Sequence, residues 1–261
     1  MMFAGKVVAI TGAAGGIGQA LCRYFGNEGA FVAALDKSET VAAIASELAA
    51  AGIRTVAETL DVADAAAVAS VFNAVAARLG AVDILINNAG FSEHPTFART
   101  DPAAWHGDVS GNLNGAYYCA HAVLPGMKHK RGGSIVCIGS VNGLGALGDP
   151  AYSAAKAGLI SLTRSLALEY GRFGIRANIV LPGTVRTPLW ERRAGADPDL
   201  LNKLARWYPL GRIVEPLDVA RAVGFLASDA AAAITGAALP VDCGLSAGNI
   251  VMARELTLED F

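Results

Sequence analysis

Tyr152 and Lys156 are four residues apart in the stretch AYSAAKAGL, which otherwise holds small and apolar residues. An α-helix completes a turn in about 3.6 residues, so the two side chains would lie on one helix face, one turn apart. A phenol with a pKa of about 10 is a poor base at neutral pH, and a neighbouring ammonium favours the phenolate. The spacing is compatible with a general acid/base, and also with two side chains that extend their polar ends into solvent.

A glycine-rich stretch, TGAAGGIG at 11–18, follows the first apolar run of the chain. Gly12, Gly16 and Gly18 would let the turn pass close to a pyrophosphate, while the next helix offers free N–H groups and its positive dipole end. Tight turns also need glycine, so the position between a strand and a helix is what favours dinucleotide binding. No Gly-Lys-Ser/Thr follows, which argues against a P-loop.

Asp36 ends the second predicted strand, eighteen residues after Gly18. An acidic residue at this point can accept hydrogen bonds from an adenosine ribose, and it would repel a 2′-phosphate. The sequence therefore favours NAD over NADP, although the adjacent Lys37 is a cation that could offset the repulsion. The alternative for Asp36 is an ordinary turn residue at a strand end.

The elements that would position these residues follow a regular alternation of short β-branched runs and longer alanine-rich segments, which is typical of repeated βαβ units. Strands are predicted at 6–11, 30–36, 54–61, 82–87, 133–139, 175–181 and 237–242. The helices between them end near glycines able to adopt the left-handed cap, namely Gly29, Gly52, Gly80 and Gly174. We predict an α/β fold: one Rossmann-like domain over residues 1–261, with a doubly wound parallel sheet of about seven strands and helices on both faces.

Composition limits the function classes. Hydrophobic residues make up 53% of the chain and charged residues 17%, as suits a buried parallel sheet. A net charge of −2 without a basic run argues against a nucleic-acid partner. The four cysteines and four histidines show no metal-ligand spacing, so we expect reduced core cysteines and no metal. No leader or long apolar window is found, which predicts a soluble cytoplasmic protein without a membrane partner.

Residues 184–213 form a long excursion between a predicted strand and the next helix, as lids and substrate-binding loops do. It contains Trp190, Trp207 and Tyr208, and six lysines and arginines against three acidic residues. Flat aromatic rings suit a sugar or polyol, and surplus cations would tolerate an anionic group. The alternative is that these cations are solvated or paired with neighbouring carboxylates.

Six motifs occur in order: TGAAGGIG, NNAG at 87–90, GNLNG at 111–115, GSIVCIGS at 133–140, YSAAK at 152–156 and PGTVRTP at 182–188. Together they resemble the motif set of the short-chain dehydrogenase/reductase family, in its compact single-domain branch, from about residue 5 to residue 245. Enoyl reductases of similar fold have a longer spacing from tyrosine to lysine.

The resemblance implies four catalytic residues. Tyr152 would be the general acid/base, and Lys156, with the positive charge of an oxidised nicotinamide, would lower its pKa and also bind the nicotinamide ribose. Ser140 would orient the substrate oxygen. Asn112, in preference to the nearby Asn114, would hold a water beside the lysine and extend a proton relay, although it could also be a helix-capping or helix-kinking amide.

The resemblance also implies NAD as the cofactor. Asp61 and Val62 would contact the adenine, and Thr187 would contact the nicotinamide carboxamide. The implied cofactor-binding residues are Gly12, Gly16, Ile17, Gly18, Asp36, Asp61, Val62, Asn88, Ala89, Gly90, Tyr152, Lys156, Pro182, Gly183, Val185 and Thr187. A homotetramer is implied as well, with packing between the helices around 103–128 and 151–172 of symmetry-related copies.

The predicted substrate is a small molecule, a sugar or polyol alcohol, because polar residues lie near the predicted reaction centre and RTPLWE resembles family members that oxidise aldoses. The candidate substrate residues are Glu93, His94, Asn142, Trp190 and Arg193, with Asp149 among the nearby polar residues. Two alternatives stay open. A carbonyl or 3-ketoacyl-thioester reductase would prefer NADPH, which Asp36 opposes, and a nucleotide-sensing binding protein would be expected to lose Ser140, Tyr152 or Lys156.

Overall fold

The structure, a computed structural model, describes residues 1–188, 190, 195, 197 and 199–259. It contains a seven-stranded sheet in which every pair of neighbouring strands is parallel, in the order β3-β2-β1-β4-β5-β6-β7. The strands are β1 (Val7–Thr11), β2 (Phe31–Asp36), β3 (Thr55–Thr59), β4 (Ile84–Asn87), β5 (Gly133–Ile138), β6 (Ile175–Pro182) and β7 (Ala238–Val241). All seven strands were predicted from the sequence, and the α/β Rossmann-like prediction is confirmed.

Helices connect the strands and cover both faces of the sheet. They are α1 (Gly16–Asn27), α2 (Val41–Ala50), α3 (Ala65–Leu79), α4 (Pro102–Val109), α5 (Gly115–Lys130), α6 (Pro150–Tyr170), α7 (Leu200–Ala205), α8 (Pro216–Ala227) and α9 (Ile250–Thr257). A single π-helical turn, Ser110–Asn114, joins α4 to α5. The four glycines predicted to end helices all have positive φ angles.

Side-chain alternation along the central strands builds a core on each side of the sheet. Val8 and Ile10 of β1 pack with residues of α1, α2 and α8, whereas Val7 and Ala9 pack with residues of α3, α5 and α6. Each fully buried valine or isoleucine side chain contributes about 1.5–3 kcal/mol of transfer free energy. Burial on both faces explains why the strands are near-continuous apolar runs.

The chain reverses its direction of travel across the sheet at β1, which has β2 on one side and β4 on the other. The loops after β1 and β4 therefore diverge and leave a crevice at the carboxyl ends of the strands, where ligands of doubly wound sheets bind.

The excursion after β6 packs on a small apolar cluster of its own, formed by Leu201, Tyr208 and Ile213 with partly buried neighbours that include Trp190. A parallel bridge between Val185 and Val214 closes its base.

The cysteines are unpaired; Cys22, Cys119 and Cys137 are buried, but Cys243 is partly exposed and was wrongly placed in the core. Among the residues that the structure describes, no three His, Cys, Asp or Glu side chains group as metal ligands would. Within the same residues, no helix combines the length and the apolar character that a membrane crossing requires.

Candidate active site

A cavity of about 950 Å³ lies at the carboxyl ends of the strands, within the size range of small-molecule and cofactor sites. Its wall is formed by the loops that follow β1, β2, β3, β4, β5 and β6, together with the start of α6 and part of the excursion. The crevice expected from the strand order is therefore the place where the predicted site residues meet.

The loop after β1 is shaped for an anion that approaches the backbone. Gly12 has a φ of 66°, and a Cβ added there would lie 2.9 Å from Ala89 Cα. A Cβ on Gly18 would overlap the carbonyl oxygen of Gly12. α1 has neither a side-chain N-cap hydrogen bond nor an acidic residue in its first turn, so its free N–H groups stay available at the cavity wall. These features fit a pyrophosphate.

Thr11 and Asn88 hold this loop against the end of β4. The Asn88 side-chain amide donates to the carbonyl oxygens of Thr11 (2.9 Å) and Gly12 (3.0 Å). Thr11 Oγ1 accepts from the backbone N–H groups of Asn88 and Ala89, each at 3.0 Å. We did not single out Thr11 from the sequence, because a threonine at a strand end carries no distinctive signal.

Asp36 lies on the cavity wall at the end of β2. One carboxylate oxygen accepts from Ala14 N and the other from Ser38 N, both at 2.9 Å, so the carboxylate is fixed in place beside the glycine-rich loop. The ammonium of Lys37 lies 4.8 Å from the centre of the Phe91 ring. The Lys37 ammonium therefore lies against an aromatic ring, so it is less available to offset the repulsion between Asp36 and a 2′-phosphate.

The structure brings Ser140, Tyr152 and Lys156 together on one wall. Ser140 follows β5, and its Oγ accepts from Asn142 N at 3.1 Å. Tyr152 and Lys156 lie one turn apart on α6, with the Lys156 ammonium 5.4 Å from the centre of the Tyr152 ring. Lys156 is buried, and its Nζ donates to the carbonyl oxygen of Ile138 at 2.9 Å.

Burial dominates the electrostatics of Tyr152 and Lys156 in this trio. Burial raises the pKa of Tyr152 above its usual value, a hydrogen bond with Ser140 lowers it, and the charge of Asp149 raises it further. Burial lowers the pKa of Lys156 to about 8. In the protein alone, the hydrogen bond with Ser140 is therefore the contribution that favours the Tyr152 phenolate.

Asn112 lies in the π-helical turn, directly behind Gly90. Its amide donates to the carbonyl oxygens of Phe91 (2.8 Å) and Asp108 (2.9 Å). Its Oδ1 is buried and has no hydrogen-bond partner among the described residues. A Cβ on Gly90 would lie 2.5 Å from this oxygen and 3.1 Å from Lys156 Nζ, so both atoms border the same point. An acceptor beside the lysine is what a bridging water would need.

The other predicted cofactor residues also line the cavity. They are Ile17, Asp61, Val62, Ala89, Pro182, Gly183, Val185 and Thr187. Of the predicted substrate residues, Asn142 and Trp190 lie on the wall, but Glu93 and His94 do not, because the chain leaves the cavity after Ser92. Arg193 lies outside the described residues. The Asn142 amide donates to Gly148 O (3.3 Å) and Ser153 Oγ (3.1 Å), which commits it to holding the loop before α6.

Sequence reasoning missed several residues of the cavity wall, because neither their types nor their spacing form a recognisable motif. They are Ser92, Leu147, Asp149, Leu204 and Leu245, of which only Asp149 had been noted as a nearby polar residue.

Asp108 at the end of α4 was also missed. It is 1% exposed, and neither carboxylate oxygen has a hydrogen-bond partner in the described part of the chain. Burial raises the pKa of Asp108; the His94 charge lowers it, and the charges of Asp149 and Glu93 raise it further. A carboxyl group whose pKa is raised by folding lowers the stability of the folded state as the pH rises from the usual carboxyl pKa through the raised one. Below the usual carboxyl pKa the group is protonated in the folded and in the unfolded chain, so it has no such effect.

We therefore expect Asp108→Asn to raise the free energy of unfolding by about 1–3 kcal/mol at about pH 8, with a smaller gain at about pH 5. Urea denaturation at the two pH values measures the difference. Asp101→Asn, at the exposed N-cap of the same helix, is the matched control and should change little, because asparagine also caps. A loss of stability at the higher pH would contradict the expectation.

Two comparisons with known proteins decide the family. The family model for enoyl-(acyl carrier protein) reductase matches residues 12–246. A solved oxidoreductase of the short-chain dehydrogenase/reductase family from Burkholderia thailandensis is 51% identical, with a TM-score of 0.92 and coverage of 98% of both chains. The chain belongs to the short-chain dehydrogenase/reductase family. The sequence resemblance is thereby confirmed for nearly its whole length.

Curated members of the short-chain dehydrogenase/reductase family include relatives with named activities. The cis-4-hydroxycyclohexanecarboxylate dehydrogenase of Sinomonas cyclohexanicum is 40% identical over 247 residues, which cover 94% of this chain and 98% of the relative. The meso-2,3-butanediol dehydrogenase of Serratia marcescens is 39% identical over 251 residues, covering 95% and 98%. This chain is accordingly a dehydrogenase/reductase of a family that uses nicotinamide cofactors.

Proposed function

We propose that this short-chain dehydrogenase/reductase is NAD-dependent and interconverts a secondary alcohol, on a sugar or polyol, with its carbonyl form. The observation that carries the proposal is that a single cavity contains both Asp36 with the glycine-rich loop and the trio of Ser140, Tyr152 and Lys156. A dinucleotide site and a proton-transfer site thus share one space, as alcohol oxidation with a nicotinamide requires.

The residues present fit the cofactor. The glycine-rich loop and the uncapped start of α1 would hold the pyrophosphate, and Asp36 would accept hydrogen bonds from the adenosine ribose. Asp36 would also repel a 2′-phosphate, which is the reason for proposing NAD. Bound nicotinamide supplies the hydride acceptor for alcohol oxidation and the donor for carbonyl reduction.

The protein itself supplies the proton chemistry. Because burial raises the pKa of Tyr152, its phenol keeps its proton at neutral pH and can donate it to a carbonyl oxygen. In the reverse direction the phenolate takes the alcohol proton, and this direction gains from alkaline pH. Ser140, which hydrogen-bonds Tyr152, would bind the same substrate oxygen through its hydroxyl. The free Oδ1 of Asn112 beside Lys156 supports a water-mediated path for the proton.

The described part of the excursion supports a neutral substrate. Arg186 pairs with Glu215 (3.0 Å), Lys203 with Asp197 (2.8 Å) and Arg212 with Asp218 (2.6 Å). These cations are therefore compensated, which favours the paired alternative over an anion-binding loop. The names of the two curated relatives, a cis-4-hydroxycyclohexanecarboxylate dehydrogenase and a meso-2,3-butanediol dehydrogenase, support a secondary hydroxyl as the reacting group.

The test is a panel of aldoses, polyols, small diols, alicyclic alcohols, hydroxy acids and steroids, each offered with NAD and with NADP. Initial rates are followed by the absorbance of the reduced nicotinamide, at neutral and at alkaline pH. We expect oxidation of neutral polyhydroxylated alcohols with NAD, faster at alkaline pH. Exclusive use of NADP, or turnover of steroids alone, would contradict the proposal.

We further propose a homotetramer. Trp105 on α4, Tyr117 on α5 and Leu168 on α6 are large apolar side chains that are exposed on the helices expected to meet symmetry-related copies. Apolar side chains on neighbouring helices are a common feature of subunit contacts.

A further inference from the structure

Asp149 immediately precedes α6, the helix that carries Tyr152, and it lines the cavity. Its backbone is left-handed, with φ 48° and ψ 66°, and it follows Gly148, whose φ is 89°. A non-glycine residue in this region is uncommon, although aspartate and asparagine tolerate it better than most. Such a conformation beside a cavity points to a requirement on where the side chain is placed.

The side chain of Asp149 does not cap α6, although Asp149 occupies the N-cap position of that helix. An aspartate at a helix N-cap usually accepts a hydrogen bond from the first-turn N–H groups. Asp64 does so for α3 and Asp101 for α4, but Asp149 makes no such bond to α6. Its Oδ1 instead accepts from the hydroxyl of Ser92, across the cavity wall from the segment after β4.

The Asp149 carboxylate forms no ion pair with a lysine, arginine or histidine among the described residues. The ion pairs found there all involve other aspartates and glutamates. The charge of Asp149 acts on Tyr152 of α6 and on Asp108 of α4. Glu93 and His94, after β4, also act on Asp108, and Lys156 and His106 lie on the same cavity wall as Asp149. A carboxylate has about four acceptor positions, so one bond to Ser92 leaves capacity toward the cavity. The cavity wall that holds Tyr152 therefore carries, at Asp149, a carboxylate without an ion-pair partner among the described residues.

We propose that Asp149 is a specificity-determining residue that accepts a hydrogen bond from a second hydroxyl of the substrate, next to the reacting carbon, and that repels a carboxylate at that position. This rests on the proposed function and narrows its substrate to neutral vicinal diols and polyols. A hydroxyl donor would satisfy the uncompensated charge, whereas an anion would add like-charge repulsion in a partly enclosed site.

Asp149→Asn tests the proposal with little structural change, because asparagine tolerates the left-handed backbone and can still accept the Ser92 hydrogen bond. The substrates are two matched pairs, propane-1,2-diol with lactate and cyclohexane-1,2-diol with 2-hydroxycyclohexanecarboxylate. Lactate has a carboxylate in place of the CH2OH group of propane-1,2-diol, and 2-hydroxycyclohexanecarboxylate has one in place of a hydroxyl of cyclohexane-1,2-diol. We expect the ratio of kcat/KM for diol over hydroxy acid to fall by at least about 10-fold, since a hydrogen bond to a charged group is lost.

A second readout separates this role from a merely structural one. The Asp149 charge raises the pKa of Tyr152, so in Asp149→Asn the acidic limb of the kcat/KM profile for diol oxidation should move to lower pH. A loss of loop packing alone would lower the melting temperature without moving that limb. Asp64→Asn, an N-cap aspartate outside the cavity, is the control and should leave the ratio and the pH profile unchanged.

The outcomes distinguish the two proposals. If the wild-type protein oxidises no alcohol with NAD, the proposed function fails. If it oxidises alcohols but favours the hydroxy acids over the diols, or if Asp149→Asn leaves both the ratio and the pH limb unchanged, only the role of Asp149 fails. A shifted limb together with a lowered ratio would support it.

Discussion

Replacing Tyr152 with phenylalanine is expected to lower kcat for alcohol oxidation by about 10²- to 10⁴-fold, the usual contribution of a positioned general acid/base. The phenol oxygen is the atom removed, and the ring, which lies on the cavity wall beside Lys156, is kept. The glycine-rich loop and Asp36 are untouched, so the dissociation constant for NAD should change little. Initial rates, calorimetric NAD binding and the melting temperature measure the three quantities.

Tyr170→Phe is the matched control, because Tyr170 ends the same helix and lies outside the cavity. It should retain wild-type kcat. Turnover at the wild-type rate in Tyr152→Phe would refute the proton-transfer role of the phenol. A loss of activity accompanied by a loss of NAD binding would instead indicate a damaged cavity, and the Tyr152 assignment would lose its support.

The parts of this site that the sequence predicts are those held by one element or one motif. Tyr152 and Lys156 share α6, so helical periodicity alone places them side by side. The glycine-rich loop and Asp36 follow from strand ends, and parallel strands bring their carboxyl ends to one edge. These inferences need only local geometry and the order of the strands.

The remaining features depend on neighbours from distant elements. The raised pKa of Tyr152 comes from burial by several loops, a quantity that no local spacing encodes. Arg186 and Arg212 find Glu215 and Asp218, which lie beyond the excursion, so their pairing could not be deduced from the excursion itself. The Asp149 side chain does not cap α6 because it accepts a hydrogen bond from Ser92, which lies more than fifty residues earlier in the chain.

Replacing Asp36 with asparagine is expected to reduce kcat/KM for NAD by about 10- to 100-fold, because hydrogen bonds to a charged group each contribute about 1.5–3 kcal/mol. Removal of the negative charge should also raise kcat/KM for NADP, since a 2′-phosphate is no longer repelled. Both effects lower the ratio of kcat/KM for NAD to kcat/KM for NADP, and we expect this ratio to fall by about 10³-fold. Initial rates with each dinucleotide, at saturating alcohol, measure it.

Asp61→Asn is the control for Asp36→Asn, because Asp61 lines the same cavity and is implied to contact the adenine, which both dinucleotides share. It should change kcat/KM for NAD and NADP equally. Lys37→Ala in the Asp36→Asn background adds a second check: if the ammonium leaves the Phe91 ring to bind the phosphate, this variant should lose part of the NADP gain. If the ratio of kcat/KM for NAD to kcat/KM for NADP stays within about twofold of wild type in Asp36→Asn, another group discriminates the cofactors. Only NADP carries the 2′-phosphate that the Asp36 charge would repel, so removal of that charge has to change the ratio.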